Sequence, residues 1–281
     1  MLKQRVITAL LLLTGLLTAL FYPAPWVFCW LSLGLMAVGA WEWARLNGSG
    51  MSASLMAAGL SVVVCGGLWW AGVPQHSTPR MWLTVGALWV LLGAWVLWAG
   101  VLAWERYPRW LRLVLGLLAL GLAWLALSQA RVIGINFLLS TLGLVWVADI
   151  GAYFAGRALG GRFCSSKLAP SISPGKSWEG VWGGMLGVIV LALAWHQWDE
   201  IRQLNEPSLF TLVGLRGVLY SLIACVFMVA MSVVGDLIES LVKRSAGVKD
   251  SSALLPGHGG VLDRVDALLP ILPLAMMLYS L

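Results

Sequence analysis

Charge is what this chain has least of. Of its 281 residues only 11% are Asp, Glu, Lys or Arg, while 60% are apolar. A soluble domain carries roughly 25% charged residues. The charge here cannot build a water-facing surface, so a soluble enzyme is excluded. Disorder is excluded as well, because disordered chains are poor in apolar residues. Cysteine is also scarce. Cys29, Cys65, Cys164 and Cys225 form no CxxC pair or other metal-ligand spacing, so they support neither a zinc site nor an oxidising compartment. Three of them lie in apolar runs and read as small apolar residues. What remains is an all-α, polytopic transmembrane helical bundle.

Roughly 20 apolar residues cross a bilayer, which leaves room for about eight to ten helices. Nine apolar segments can be marked, at 6–22, 25–44, 51–73, 81–104, 110–130, 132–156, 178–196, 209–240 and 261–281. Pro23, Pro25, Asn47-Gly48-Ser49-Gly50, Pro74 and Pro108 separate the first five. No small-x-small cleavage site follows the first run, so it reads as an uncleaved first helix. The eighth segment is long enough to project beyond the bilayer or to change direction. With the N-terminus in the cytoplasm, nine spans put 14 Lys and Arg on the cytoplasmic side, Lys3 and Arg5 among them. Only four, Arg80, Arg131, Arg202 and Arg216, fall outside. This bias is the positive-inside pattern. It accounts for the net charge of +6 without a nucleic-acid partner. Among the 18 tryptophans, Trp26, Trp104, Trp110 and Trp178 lie near segment ends and are expected at the lipid headgroups. Gly180-x-x-x-Gly184 and Gly183-x-x-x-Gly187 predict a close helix approach.

Two stretches break the apolar pattern. In the first, residues 145–180, Asp149 lies inside an apolar run. An acid at a helix centre costs roughly 2.5–3.5 kcal/mol on insertion scales, so it needs a partner, a cation or water. Arg157, Arg162, Lys167 and Lys176 follow among glycines and serines, a composition suited to phosphate. Gly175-Lys176-Ser177 lacks the upstream glycine spacing and preceding strand of a P-loop. The second stretch is residues 235–268. Asp236, Glu239, Ser240 and Lys243 share one helix face by their spacing, and so do Asp263 and Asp266 on the final helix. Between them run Lys249-Asp250 and the turn Leu255-Pro256-Gly257-His258-Gly259-Gly260. Carboxylates converging from two helices suit Mg²⁺. Lys243, Arg244, Lys249 and Arg264 add positive charge, and the combination suits phosphoryl or nucleotidyl transfer.

The run from Ser240-Leu241-Val242-Lys243-Arg244 through Lys249-Asp250 to Leu255-Pro256-Gly257-His258-Gly259-Gly260-Val261-Leu262-Asp263-Arg264-Val265-Asp266 resembles the signature of the phosphatidate cytidylyltransferases, or CDP-diacylglycerol synthases. Asp149-x-Gly151-Ala152-Tyr153-Phe154-x-Gly156-Arg157 and Ser173-Pro174-x-Lys176-Ser177-Trp178-Glu179-Gly180 are similar to that family too. Ser177 stands where Thr is more usual. The specific likeness covers about 145–268, which divides the chain into N-terminal helices, 1–140, and a catalytic region, 141–281.

The resemblance implies a bacterial-type enzyme of phospholipid biosynthesis that uses CTP and phosphatidic acid and depends on Mg²⁺. A second metal, a monovalent cation and a homo-oligomer are all open. By resemblance Asp149, Asp236, Asp263 and Asp266 are the metal ligands. Lys243, Arg244, Lys249, Asp250, His258 and Arg264 complete the catalytic set, and Arg157, Lys167, Ser173, Lys176 and Ser177 contact headgroup or nucleotide. Such a site faces the cytoplasm from the inner membrane. The rival expectations are a CTP-dependent polyprenol or dolichol kinase and an ion-coupled transporter.

Overall fold

The computed structural model describes residues 2–76, 78–204 and 206–281, and the side chains of 2–9, 11 and 12, Lys3 and Arg5 among them, lie outside that description. Twelve helices follow one another: α1 (Leu2–Phe21), α2 (Pro25–Leu46), α3 (Met51–Trp70), α4 (Pro79–Ala99), α5 (Val101–Arg106), α6 (Arg109–Ile133), α7 (Ile135–Leu159), α8 (Trp178–Arg202), α9 (Leu209–Gly214), α10 (Val218–Ser245), α11 (Leu262–Val265) and α12 (Leu268–Ser280). Among the described residues seven of them, α2, α3, α4, α6, α7, α8 and α10, are long and apolar enough to cross a membrane. The chain is an integral membrane bundle, as its composition requires.

Long-range hydrogen bonds sort the connections onto two ends. At one end the Trp104 indole donates to Asn47 and the Trp43 indole to the Arg112 carbonyl. The Lys176–Asp236 ion pair belongs to the same end. At the other end Arg131 donates to the Leu20 and Tyr22 carbonyls, Gln129 to the His76 carbonyl and Asn136 to Asp199. Alternate connections therefore share an end, and both polar stretches lie on the same one.

Three apolar segments are interrupted where the sequence reads as continuous. Gly100 and Gly217 take positive φ, of 79° and 103°, and separate α4 from α5 and α9 from α10. The eighth segment is thus split into a short helix and a long one. The last segment breaks at Asp266 and Ala267, so Asp263 lies on the short α11 and Asp266 caps it; neither is on the final helix α12. Pro270 explains the break, because it offers no N–H to the Asp266 carbonyl one turn earlier.

Trp104 is another correction. It is 3% exposed and lies in the core with Trp43, Trp82 and Trp124, not at the headgroups. Each of these four indoles donates a hydrogen bond inside the bundle, which is what permits its burial. Trp26, Trp110 and Trp178 are exposed as expected. Cys29, Cys65 and Cys225 are buried and unpaired.

α7 and α8 form the most extensive helix pair. The cause is small residues: a Cβ on Gly151 would meet the Gly183 backbone, and one on Gly184 the Ala148 backbone. Backbone cannot move aside as a side-chain end can. Gly184→Leu is therefore expected to destabilise the detergent-solubilised protein by about 3 kcal/mol, near the top of the overpacking range. A denaturation midpoint equal to the parent's would contradict this packing account.

Candidate active site

α10 carries the centre of the polar cluster. Lys243 Nζ lies 2.5 Å from Glu239 Oε2 one turn earlier and 2.6 Å from Asp263 Oδ1 on α11. All three groups are largely buried: Lys243 is 9% exposed and Glu239 2%. Unpaired, each charge would cost several kcal/mol. Asp236, one turn earlier on α10, is reached from the other polar stretch by Lys176 Nζ at 2.5 Å. The Ser240 hydroxyl also donates to Asp236. Asp149 lies within charge–charge range of Asp236 and Lys176. Asp266 lies within range of Asp236, Lys243 and Asp149. The two polar stretches, separate in sequence, thus make one cluster.

Asp263 is fully engaged. Oδ1 accepts from Lys243, and Oδ2 accepts from the Ser251 amide and hydroxyl, each at 2.9 Å, and the Gly260 amide at 2.7 Å. Burial pushes the Asp263 carboxyl up, but the Lys243 ammonium and the two amides outweigh it and hold it at about 2. Its first role is to shape the loop that precedes α11. Arg264 on the same helix donates to the His258 carbonyl and fastens the glycine turn. His258 itself is part-exposed, its Nδ1 3.3 Å from the Pro256 carbonyl. Lys249 and Asp250 are exposed at the tip.

The 160–177 loop is built by its own turns. The Ser173 amide donates to the Ala169 carbonyl and the Lys176 amide to the Ser173 carbonyl. Ile172 is 5% exposed and pins the loop to the core, and Arg244 donates to its carbonyl. Ser177 caps α8, its hydroxyl accepting from the Gly180 amide at 3.2 Å. Arg157 and Lys167 are exposed, and Arg157 donates to the Tyr153 hydroxyl.

Two further carboxylates were given no role in the sequence analysis, Glu179, quoted there only within a motif, and Glu42. Glu179 accepts from the amides of Gly161, Phe163 and Cys164 at 3.2, 3.0 and 2.9 Å and closes the start of the same loop. Glu42 on α2 is fully buried. It accepts from the Ser252 hydroxyl at 2.6 Å, the Leu262 amide at 2.8 Å, the Val261 amide at 3.0 Å and the Ser251 hydroxyl at 3.2 Å. Gly260 is glycine because a Cβ there would strike Ser251 and Glu42. A lone acid in an apolar segment was the available signal, the same one that marks Asp149. The first 140 residues therefore do more than span; α2 holds the loop between α10 and α11.

The cluster holds five carboxylates, Asp149, Asp236, Glu239, Asp263 and Asp266, against two buried or half-buried ammonium groups, Lys176 and Lys243. If all are ionised, three negative charges remain uncompensated. Such a site attracts a hard cation. Among the described residues no group of three or more His, Cys, Asp or Glu side chains is placed to hold a metal ion.

Comparison with known proteins finds likeness over the whole chain. The model of the cytidylyltransferase family matches residues 3–281. A phosphatidate cytidylyltransferase of Pseudomonas aeruginosa is 40% identical over 291 residues, spanning 100% of this chain and 98% of that protein. One of Haemophilus influenzae is 39% identical over 308 residues, spanning 99% of each. One of Bacillus subtilis is 38% identical over 148 residues, 53% of this chain and 49% of that protein. The likeness therefore extends through the N-terminal helices, beyond the motif-bearing half.

Proposed function

This chain belongs to the cytidylyltransferase family, and from that premise we propose that it transfers the cytidylyl group of CTP to phosphatidic acid, giving CDP-diacylglycerol and pyrophosphate. The observation that carries the reading is likeness to phosphatidate cytidylyltransferases over essentially the full length of both chains. The reaction is a step of phospholipid biosynthesis.

A phosphate oxygen of the lipid attacks the α-phosphorus of CTP. The bond to the β-phosphate breaks and the electron pair leaves with pyrophosphate. The nucleophile is already anionic, so little general-base help is needed. The difficulty is to bring two anions into line, and this is a task for fixed positive charge. Arg244, Lys249, Arg264, Arg157 and Lys167 carry exposed or part-exposed cations at the cluster's end of the bundle and are assigned to phosphate contact. Lys243 is assigned elsewhere: it is committed to Glu239 and Asp263, so it orders carboxylates. Ser173 and Ser177 shape the loop that carries Lys176. His258, in the glycine turn, is assigned to a phosphate or to the leaving group.

The donor set is all oxygen and, where ionised, carries more negative charge than its two ammonium groups offset, which suits Mg²⁺. Asp149, Asp236 and Asp266, with Asp263 beside them, would hold it. When bound, the ion supplies neutralisation of the triphosphate and of the departing pyrophosphate.

The orientation follows from charge. The cluster's end carries twelve described Lys and Arg and the opposite end four, Arg80, Arg131, Arg202 and Arg216. By the positive-inside rule the cluster faces the cytoplasm, where CTP is, from the inner membrane. Counting α1 and the α11–α12 segment as crossings beside the seven long apolar helices gives nine, which would account for the alternation of ends. Labelling of a reporter cysteine at Arg162 from either side of sealed vesicles tests this; reaction only from outside the cell would reverse the orientation.

The activity test uses labelled CTP and phosphatidic acid with the purified protein in detergent. Label is expected in CDP-diacylglycerol, with pyrophosphate released. EDTA is expected to abolish turnover and Mg²⁺ to restore it. CDP and a phosphorylated alcohol as products would mark a lipid kinase, and substrate counterflow in liposomes without turnover would mark a transporter.

A further inference from the structure

We propose that one acyl chain of the lipid substrate lies in an apolar groove between α4 and α6 that ends at the catalytic cluster. The inference rests on the reading of the reaction given above. The groove encloses a cavity of about 190 Å³. α4 and α6 both pack on α12 but not closely on each other, which leaves the slot between them. Its walls are almost wholly carbon: Leu88 and Leu92 from α4, Ala119 and Leu122 from α6, and Ile238 from α10. Leu88 and Leu92 are 47% and 44% exposed, so the slot opens sideways, toward lipid.

Glu239 marks where the groove meets the catalytic cluster. Among the described residues it is the one ionisable residue lining the groove, and its Oε1 has no hydrogen-bond partner among them. On its other side Glu239 is paired with Lys243. The groove therefore has a lipid-facing mouth, an apolar length and a polar end shared with the cluster. An amphiphile whose phosphate sits at the cluster would extend its hydrocarbon along this slot. From Val96 at the polar end to Val85, the lining residues of α4 cover eleven positions, roughly 16 Å of helix. That length suits an acyl chain better than a compact ligand.

A chain leaving lipid for this groove gains no hydrophobic energy, since both surroundings are apolar. The groove instead fixes direction and holds the phosphate in register. Filling its far end should therefore act through steric exclusion, and only on chains long enough to reach it. Leu88 lies eight positions, roughly 12 Å, from Val96. Leu88→Trp and Leu122→Phe are to be assayed singly, with dioleoyl and with dioctanoyl phosphatidic acid in the same detergent. The ratio of kcat/KM for dioleoyl over dioctanoyl substrate is expected to fall at least about fivefold in either variant. An unchanged ratio in both would overturn the groove assignment, and so would an equal loss with both lipids. If the wild type made no CDP-diacylglycerol from either lipid, the reading of the reaction would fall first. Turnover without discrimination would remove the groove alone. Leu88 is lipid-exposed, so its variant keeps the test usable should Leu122→Phe fail to fold.

Discussion

Asp263→Asn is expected to lower kcat/KM for CDP-diacylglycerol formation by roughly two to three orders of magnitude, with the protein still folded. The reason is donor counting. Oδ2 of Asp263 receives three donors, and Oδ1 receives the Lys243 ammonium. An asparagine has one acceptor and one donor end. Either way it turns, its NH₂ group faces donors. Breaking a buried pair in this manner costs about 3–5 kcal/mol. Part of that loss falls on stability and part on the alignment of the loop that carries Lys249, His258 and Arg264. Because the carboxyl is held at about 2, it is ionised at every working pH. The check is labelled-CTP turnover alongside gel filtration and thermal denaturation. A folded variant with wild-type turnover would remove Asp263 from the catalytic machinery.

Glu42→Ala is expected to reduce turnover about a hundredfold or more, although it lies on the second helix and belongs to neither polar stretch. Its removal leaves two buried amides and the part-buried Ser252 hydroxyl without their acceptor, while the Ser251 hydroxyl keeps Asp263. Each buried donor left unsatisfied costs about 1–3 kcal/mol, more than a local loop can absorb while staying ordered. The loop between α10 and α11 should therefore open locally. Limited proteolysis is the direct readout, with new cleavage between Lys249 and His258. Glu42→Gln keeps the shape and one acceptor, and should fall between the two. Glu42→Ala protein with intact loop protection and normal turnover would show that the anchor is dispensable.

Much of this was open to reading because charge is so expensive in this chain. Asp149, Lys176, Asp236, Lys243, Asp263 and Asp266 could be singled out as residues an apolar bundle would not carry without use, and they do gather at one end. Helix period and spacing placed Asp236, Glu239 and Lys243 on one face, and the Glu239–Lys243 pair is what that face produces. Spacing could not reveal partners across the bundle. Glu42 and Ser252 are 210 positions apart, and no local rule links them. Nor could hydropathy see the breaks at Gly100, Gly217 and Asp266, since a short interruption hardly alters a window average. Trp104 was misread for a related reason: its position near a segment end suits the headgroup region, but Asn47 supplies a buried acceptor.

The link from α2 to the loop before α11 also sets a timetable for biosynthesis. Glu42 enters the membrane with the second helix, yet its hydrogen-bond partners belong to residues 251–262, near the end of translation. Until they are made, the nascent chain carries a carboxylate with nothing to bond, on a helix bound for the interior. The same long wait delays ordering of the catalytic loop, since contacts this far apart in sequence form late. A ribosome that stalls before residue 251 would thus leave a chain with most of its spans and no working active site. The uncompensated Glu42 would mark that chain as incomplete to any protease that recognises exposed polar groups within the bilayer.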